Sequence, residues 1–310
     1  MQACPFRKSR VTALCYVLTV LIWGTTWIAI KGQLGSVPVE ASIAYRFALA
    51  GIVLWLFLRL TGKLRAIPWS QQPYILLQAL CLFSCNFLLI YAASAHVTSG
   101  IVSVVFSAAT VFNIANGYVF QRRRPSGRVL AGACLGVLGI LGLFWDTVTS
   151  TTLNEATTLG LGLALAGTWF FSLGNLVSAR NTSRGLPVAS VIATAMLYGA
   201  LIVALFAWVR GVPFSFDPST TYVGSLLYLA IPGSVIGFTT YLTVVHRLGP
   251  DRAAYMTVLF PVVALTLSYF FEGYRLTTPA ALGLAGILLG NVLVLVKPGQ
   301  AITQPKGAQP

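Results

Sequence analysis

Apolar residues run along this chain in long blocks rather than in alternation. Charge-poor stretches fall near 11–30, 38–59, 73–93, 98–120, 128–145, 159–179, 187–208, 222–245, 253–271 and 278–296. Each is close to the ~20 residues that an α-helix needs to cross the hydrocarbon core of a bilayer. A barrel would show short segments of alternating polarity, so strands are disfavoured. The pattern predicts an all-α membrane protein with ten transmembrane helices.

Composition points the same way. Of 310 residues, 57% are hydrophobic and 8% are charged. A soluble domain carries about 25% charged residues, and no globular core of this size could hide so much apolar surface. The N-terminal Arg7, Lys8 and Arg10 precede an apolar run, as in a secretory signal. That run is long enough to span and lacks a clear small-x-small cleavage site, so it is expected to stay as the first helix.

The net charge of +14 sets orientation, not partnership with nucleic acid, because the bases sit in short clusters between apolar blocks. With the N-terminus inside, the cytoplasmic segments carry Arg7, Lys8, Arg10, Arg59, Lys63, Arg65, Arg122, Arg123, Arg124, Arg128, Arg180, Arg184, Arg247, Arg252, Lys297 and Lys306. Lys31, Arg210 and Arg275 fall outside, and Arg46 lies within a span. This asymmetry is what the positive-inside rule requires, and a missed or extra helix would destroy it. Both termini are therefore expected in the cytoplasm, at a bacterial-type inner (plasma) membrane, with lipid as the natural partner of the basic clusters.

The chain also repeats itself at an offset of about 150 residues. Pro38-Val39 and Ile43-Ala44 recur as Pro187-Val188 and Ile192-Ala193. Tyr91 and His96 recur as Tyr241 and His246, and Tyr118, Phe120, Gly132 and Gly139 as Tyr269, Phe271, Gly283 and Gly290. The expected division is a tail over 1–10, a first five-helix repeat over 11–146, a second over 156–297 and a tail over 298–310. Five is odd, so the second repeat enters from the opposite side. Inverted repeats suit alternating access, in which exchanging the conformations of the halves moves the opening across the membrane.

Trp23-Gly24-Thr25-Thr26-Trp27 with Lys31, Pro38 and Tyr45-Arg46-Phe47 resembles the opening of EamA-type members of the drug/metabolite transporter superfamily. Ala253-Ala254, Pro261, Phe271-Glu272, Gly283 and Gly290 resemble the closing pattern of each EamA repeat. The first half departs from it, with Thr110 in place of the proline and Gln121 in place of the glutamate. The resemblance implies a ten-helix basket around a central cavity, with export of amino acids or other metabolites.

Arg46 is the exceptional residue. A charge about two turns into a span is costly and must find carbonyls, water or an anion. It either meets a substrate carboxylate or a gate, or clamps a neighbouring helix end. Trp23, Thr26 and Trp27 form one expected lining patch. Thr168, Ser172 and Asn175 share a helix face beside Trp169, and Asn86, Phe106 and Tyr241 complete the candidate lining. Asn113 and Asn116 read as interhelical hydrogen-bonding groups. Pro261 removes a backbone donor within its helix and is a candidate hinge. Glu272 could pair with Arg275. Glycines from Gly132 to Gly142 and from Gly283 to Gly290 give the fifth and tenth helices small faces for close packing, within one chain or between two.

These features predict a secondary exporter of small organic solutes, with neutral or aromatic amino acids as the leading class. A broader drug/metabolite or nucleoside-type exporter is the alternative, and a membrane enzyme or scaffold lies further off. Acids fall at span ends or in loops, Gly62-Lys63 is followed by Leu rather than Ser or Thr, and two histidines make no His-rich metal site. No catalytic residue, cofactor or metal is expected, and the chain should act as a monomer or homodimer.

Overall fold

The computed structural model describes residues 5–122, 125–143, 155–248 and 256–295, and every regular element within them is helical. Helix α1 covers Pro5–Lys31 and α2 covers Val39–Leu60. Helix α3 runs over Trp69–His96, with a π-helical stretch at Leu80–Cys85 in its middle. Helix α4 comprises Ser99–Phe106 and Ala109–Gln121, and α5 is Gly127–Leu143. Helices α6 and α7 are Glu155–Ser183 and Val188–Val209. Helix α8 begins as Thr220–Tyr228, passes through a π-helical stretch at Leu229–Ile236 and continues as Gly237–Leu248. Helices α9 and α10 are Met256–Phe271 and Thr278–Leu295.

Seven of these helices, α1 to α4 and α6 to α8, are long and apolar enough to cross a membrane. The other three hold shorter apolar stretches, Gly127–Gly142, Leu259–Phe271 and Thr278–Leu293. Outward-facing positions are apolar too: Leu201, Trp208, Phe270 and Leu282 are 67 to 72% exposed. Such a surface is stable against lipid and not against water. The chain is an integral membrane protein.

Local chemistry sets where helices stop. Pro38 and Pro187 precede α2 and α7 with extended ψ, a conformation that proline favours ahead of a first turn. Both helices end alike. Gly62 and Gly211 take φ of +66°, and the next residue's N–H returns to the helix, Lys63 to Leu58 O at 2.8 Å and Val212 to Ala207 O at 2.9 Å. This glycine-dependent closure satisfies carbonyls that a helix end leaves free.

Four antiparallel pairs build the bundle. Helices α2 and α7 cross at Gly51 and Leu197, with Arg65 N–H on Ser190 Oγ at one end and Glu40 facing Arg210 at 3.8 Å at the other. Helices α5 and α10 pack on each other through glycine. Helices α3 and α6 pair along Gly160, Gly167 and Gly174, which meet His96, Ile90 and Leu82 in turn. Helices α1 and α8 pair through Thr19 with Thr240 and Trp23 with Gly233. Across these pairs, Gly24 meets Val263 of α9, and Gly100 of α4 meets Leu265 and Ser268 of α9.

The tails 1–4 and 296–310 lie outside the described residues, as do Arg123, Arg124, Asp146, Asp251, Arg252, Ala253, Ala254, Lys297 and Lys306. So do the side chains of Arg7, Lys8, Arg10, Gln121, His246 and Arg247.

Candidate functional site

Arg46 sits on the inner face of α2, 4% exposed. Its Nη1 donates to Tyr91 Oη at 3.4 Å, and that hydroxyl donates to Gln33 Oε1 at 2.7 Å. The guanidinium also lies over the rings of Phe87 and Phe47, 4.6 and 5.1 Å from their centroids. Burying an arginine at span depth costs about 3 kcal/mol on insertion scales, and each ring returns roughly 1 kcal/mol. The compensation is incomplete, because Arg46 Nε and Gln33 Nε2 are buried without a hydrogen-bond partner.

The aromatic candidates separate into two groups. Trp27 stacks edge-on against Phe106 at 5.0 Å, and Phe106 meets Phe171 at 4.5 Å, giving an aromatic layer across α1, α4 and α6. Trp27 Nε1 is buried with no partner. Trp23 instead joins Tyr241, Phe238 and Phe260, and its indole N–H donates to Gly233 O at 3.0 Å. Thr26 donates to Trp23 O in its own helix, while its methyl side packs beside Gly233. Trp23 and Trp27, four residues apart, thus serve different neighbourhoods.

A polar network joins α4 to α6. Asn116 Nδ2 donates to Ser172 Oγ at 2.9 Å, Ser172 donates to Asn113 Oδ1 at 2.8 Å, and the Trp169 indole donates to Asn116 Oδ1 at 3.3 Å. Asn113 is exposed, Asn175 partly buried and Trp169 41% exposed. An exposed amide at span depth needs water or a polar solute beside it, since lipid offers no hydrogen bonds. Asn86 is placed elsewhere. It is 2% exposed, bonds to Leu82 O and packs under Gly167, so it belongs to the α3–α6 contact.

The Lys31 end of the bundle is tied shut. Glu272 accepts from the Ser99 backbone N–H and hydroxyl and faces Lys31 Nζ at 3.6 Å, linking α9, α4 and α1. The expected pairing of Glu272 with Arg275 gives way to this arrangement, because the free N–H groups of the α4 first turn and a cation on α1 both point at the carboxylate. Pro261 lies within an unbroken α9. The α-helical winding is interrupted by a turn at Ser107–Ala108 in α4 and gives way to π-helical stretches in α3 and α8, where Ser84 and Ser234 donate to the carbonyls five residues back, Ala79 O and Leu229 O.

The family profile of EamA-like transporters matches residues 10–145 and again residues 152–296. The chain belongs to the EamA-like transporter family. This EamA chain is 22% identical to Protein PagO of Salmonella typhimurium strain LT2, over 96% of both chains. It is 26% identical to a probable amino-acid metabolite efflux pump of Escherichia coli K12, covering 92% of this chain and 93% of that one. It is 28% identical to the uncharacterized inner membrane transporter YedA of the same strain, over 88% and 87%. A solved crystal structure superposes with a TM-score of 0.65 at 20% identity, over 92% of this chain and 96% of the other. The two share a fold.

Two groups of residues in this EamA chain were not singled out in the sequence. Gln33, just past the end of α1, anchors the Arg46 cluster, and no local pattern marks it. Gly160, Gly167 and Gly174 recur every seven residues and continue to Asn181, which donates to Gln78 Oε1 at 2.9 Å. That heptad of small residues was a readable sign of a close antiparallel partner. A separate cavity of about 450 Å³ lies at the far end of α2, lined by Trp55, Arg59, Arg65, Gln72 and Thr194 among others, away from the candidate residues.

Proposed function

We propose that this EamA chain is a secondary exporter of small amphipathic metabolites, with neutral and aromatic amino acids as the substrate class. It would work by alternating access between two inverted five-helix repeats, 11–146 and 156–297, with both termini in the cytoplasm. A broader metabolite exporter is the alternative, since PagO and YedA carry no substrate in their names.

The observation that carries the reading is an uneven closure of the bundle. The packing of α4 on α9 is concentrated on Ser99–Phe106, at the end held by Glu272 and Lys31, while Ala109–Gln121 turns to α6. With Lys31 outside, as the charge distribution supports, the Glu272 junction would close the bundle on its outer side, and Trp169, Asn113 and Asn175 would stand on the cytoplasmic half. A solute with an apolar body and a few polar groups suits that wall.

Several features support the inverted repeat. Exchanging the first five helices with the last five maps the pairs α2–α7, α5–α10 and α4–α9 onto themselves, and α1–α8 onto α6–α3. The counterparts α2 and α7 run antiparallel, as do α5 and α10. The π-helical stretches, the Ser84 and Ser234 bonds and the Gly62 and Gly211 closures recur at the same offset. Transport is favoured over catalysis because the described acids Glu40, Glu155, Asp217 and Glu272 all lie at helix ends or in loops. Counterflow in liposomes containing the purified protein, with labelled amino acids, sugars and nucleosides, tests the reading. Complete absence of flux across that panel would sink it.

A further inference from the structure

We infer that Arg46, Gln33 and Tyr91 form a receptor for a carboxylate, so that the transported solute is recognised by its anionic group. The inference rests on the exporter reading for its biological meaning, but its physical content stands on the direction of the hydrogen bonds. A guanidinium can only donate. The Tyr91 oxygen therefore accepts from Arg46, and its one hydrogen goes on to Gln33 Oε1. That fixes the Gln33 amide with its nitrogen turned away, and Nε2 has no partner. Arg46 Nε has none either. The chain of bonds thus ends in unfilled donors at both ends, around a full positive charge that is 4% exposed.

Among the described residues no carboxylate pairs with Arg46, and Glu155 is exposed at the start of α6. At this end of the bundle Glu272 is engaged by Ser99 and Lys31, Glu40 faces Arg210, and Asp217 accepts from the Ser219 N–H at 2.8 Å. The guanidinium also lies over the rings of Phe47 and Phe87, which offer π faces and no lone pair. Buried surplus donors around a cation call for an anion with two acceptor oxygens, and the planar fork of arginine matches a carboxylate. A structural clamp on a helix end would place a backbone carbonyl on Arg46, whereas its hydrogen-bond partner is the Tyr91 hydroxyl. On one flank α8 presents Gly233, whose Cβ position lies 3.9 Å from Arg46 Nη2 and 3.0 Å from the Thr26 methyl, so the helix itself puts no side chain there. The adjacent π-helical stretch, broken further by Pro232, is where α8 can yield to admit a ligand.

The test compares a carboxylate with its neutral isostere. Phenylacetate and phenylacetamide are titrated against the purified full-length protein in detergent, with thermal unfolding as readout, and phenylalanine and phenylalaninamide are compared in counterflow. The wild type should bind phenylacetate at least about tenfold more tightly than the amide, the discrimination expected of one charge-assisted contact. Arg46→Gln should abolish the preference, and Gln33→Leu should reduce it several-fold. Arg46→Lys keeps the charge without the fork, and should retain part of it if Arg46→Gln proves unstable. Equal stabilisation by acid and amide in the wild type, or an unchanged preference in folded Arg46→Gln and Gln33→Leu, overturns the receptor. Acid-selective binding without flux of any solute keeps the receptor and removes the exporter reading. Equal flux of phenylalanine and its amide does the reverse.

Discussion

The carboxylate of Glu272 caps the first turn of α4 from another helix, accepting from the Ser99 backbone N–H at 3.1 and 3.0 Å through its two oxygens. The same carboxylate faces Lys31 Nζ at 3.6 Å. Three helices therefore meet on one acidic side chain, whose own exposure is 12%.

Glu272→Gln keeps the shape and removes the charge, so it should weaken this junction by about 1–2 kcal/mol, the scale of a hydrogen bond to a charged group. Lys31→Met should cost less, under about 1 kcal/mol, because that partner is 30% exposed and its pair is screened. Thermal unfolding in detergent checks both. A larger loss for Lys31→Met than for Glu272→Gln would contradict the assignment of the cap as the main tie.

The α5–α10 seam admits no side chain at Gly139. A Cβ there would sit 2.6 Å from both Gly283 O and Ile287 N, backbone atoms that cannot rotate away. Gly139→Ala should destabilise by about 1–3 kcal/mol as the helices are forced apart. Gly162, on α6, has nothing within 4 Å of its Cβ position, so Gly162→Ala should be neutral or slightly stabilising. Equal melting temperatures for the two variants would argue against the seam.

Trp169 and Asn116 share a bond but should fail differently. Trp169 is 41% exposed, so Trp169→Ala should leave the melting temperature nearly unchanged while reducing counterflow about tenfold, the effect of roughly 1.4 kcal/mol of lost solute contact. Asn116, 5% exposed, holds Ser172 as well as Trp169. Asn116→Ala should cost about 1–2 kcal/mol of stability by stranding those partners. Normal flux in a stably inserted Trp169→Ala protein would exclude Trp169 from the solute path.

Between α7 and α8, the Ser36 hydroxyl and then the Ser219 N–H hold the Asp217 carboxyl below its ordinary value of 3.8. A depressed folded pKa means that the unfolded chain binds the proton first. The contribution is therefore complete above pH about 4 and is lost as pH falls through the lowered value. Asp217→Asn should remove this acid-side dependence of unfolding and leave transport at neutral pH unaltered, as read from unfolding curves between pH 3 and 7.

Much of the architecture is legible in the sequence alone. Apolar block length fixed helices rather than strands, because each block had to satisfy its own backbone within a bilayer. The expected spans 38–59 and 187–208 fall close to α2 and α7, while the closures at Gly62 and Gly211 emerge from the structure, where both glycines take positive φ. Arg46 stood out because a charge within an apolar block is costly wherever its neighbours lie, and the glycines of α5 and α10 announced a close contact. Their use within one chain, Gly290 against Gly132 and Gly136, was a matter of tertiary structure.

What the sequence could not decide was partnership across long separations. Glu272 has Arg275 three residues away, yet it serves Ser99 and Lys31, because helix ends distant in sequence converge at one rim and their free N–H groups outweigh a neighbouring charge. Gln33 joins Arg46 only through Tyr91, and Trp23 and Trp27 part company because successive helix turns face different neighbours. Periodicity and composition act along the chain and determine what each segment is. Which donor is left without an acceptor is settled only when helices pack, and that is where the chemistry of this protein lies.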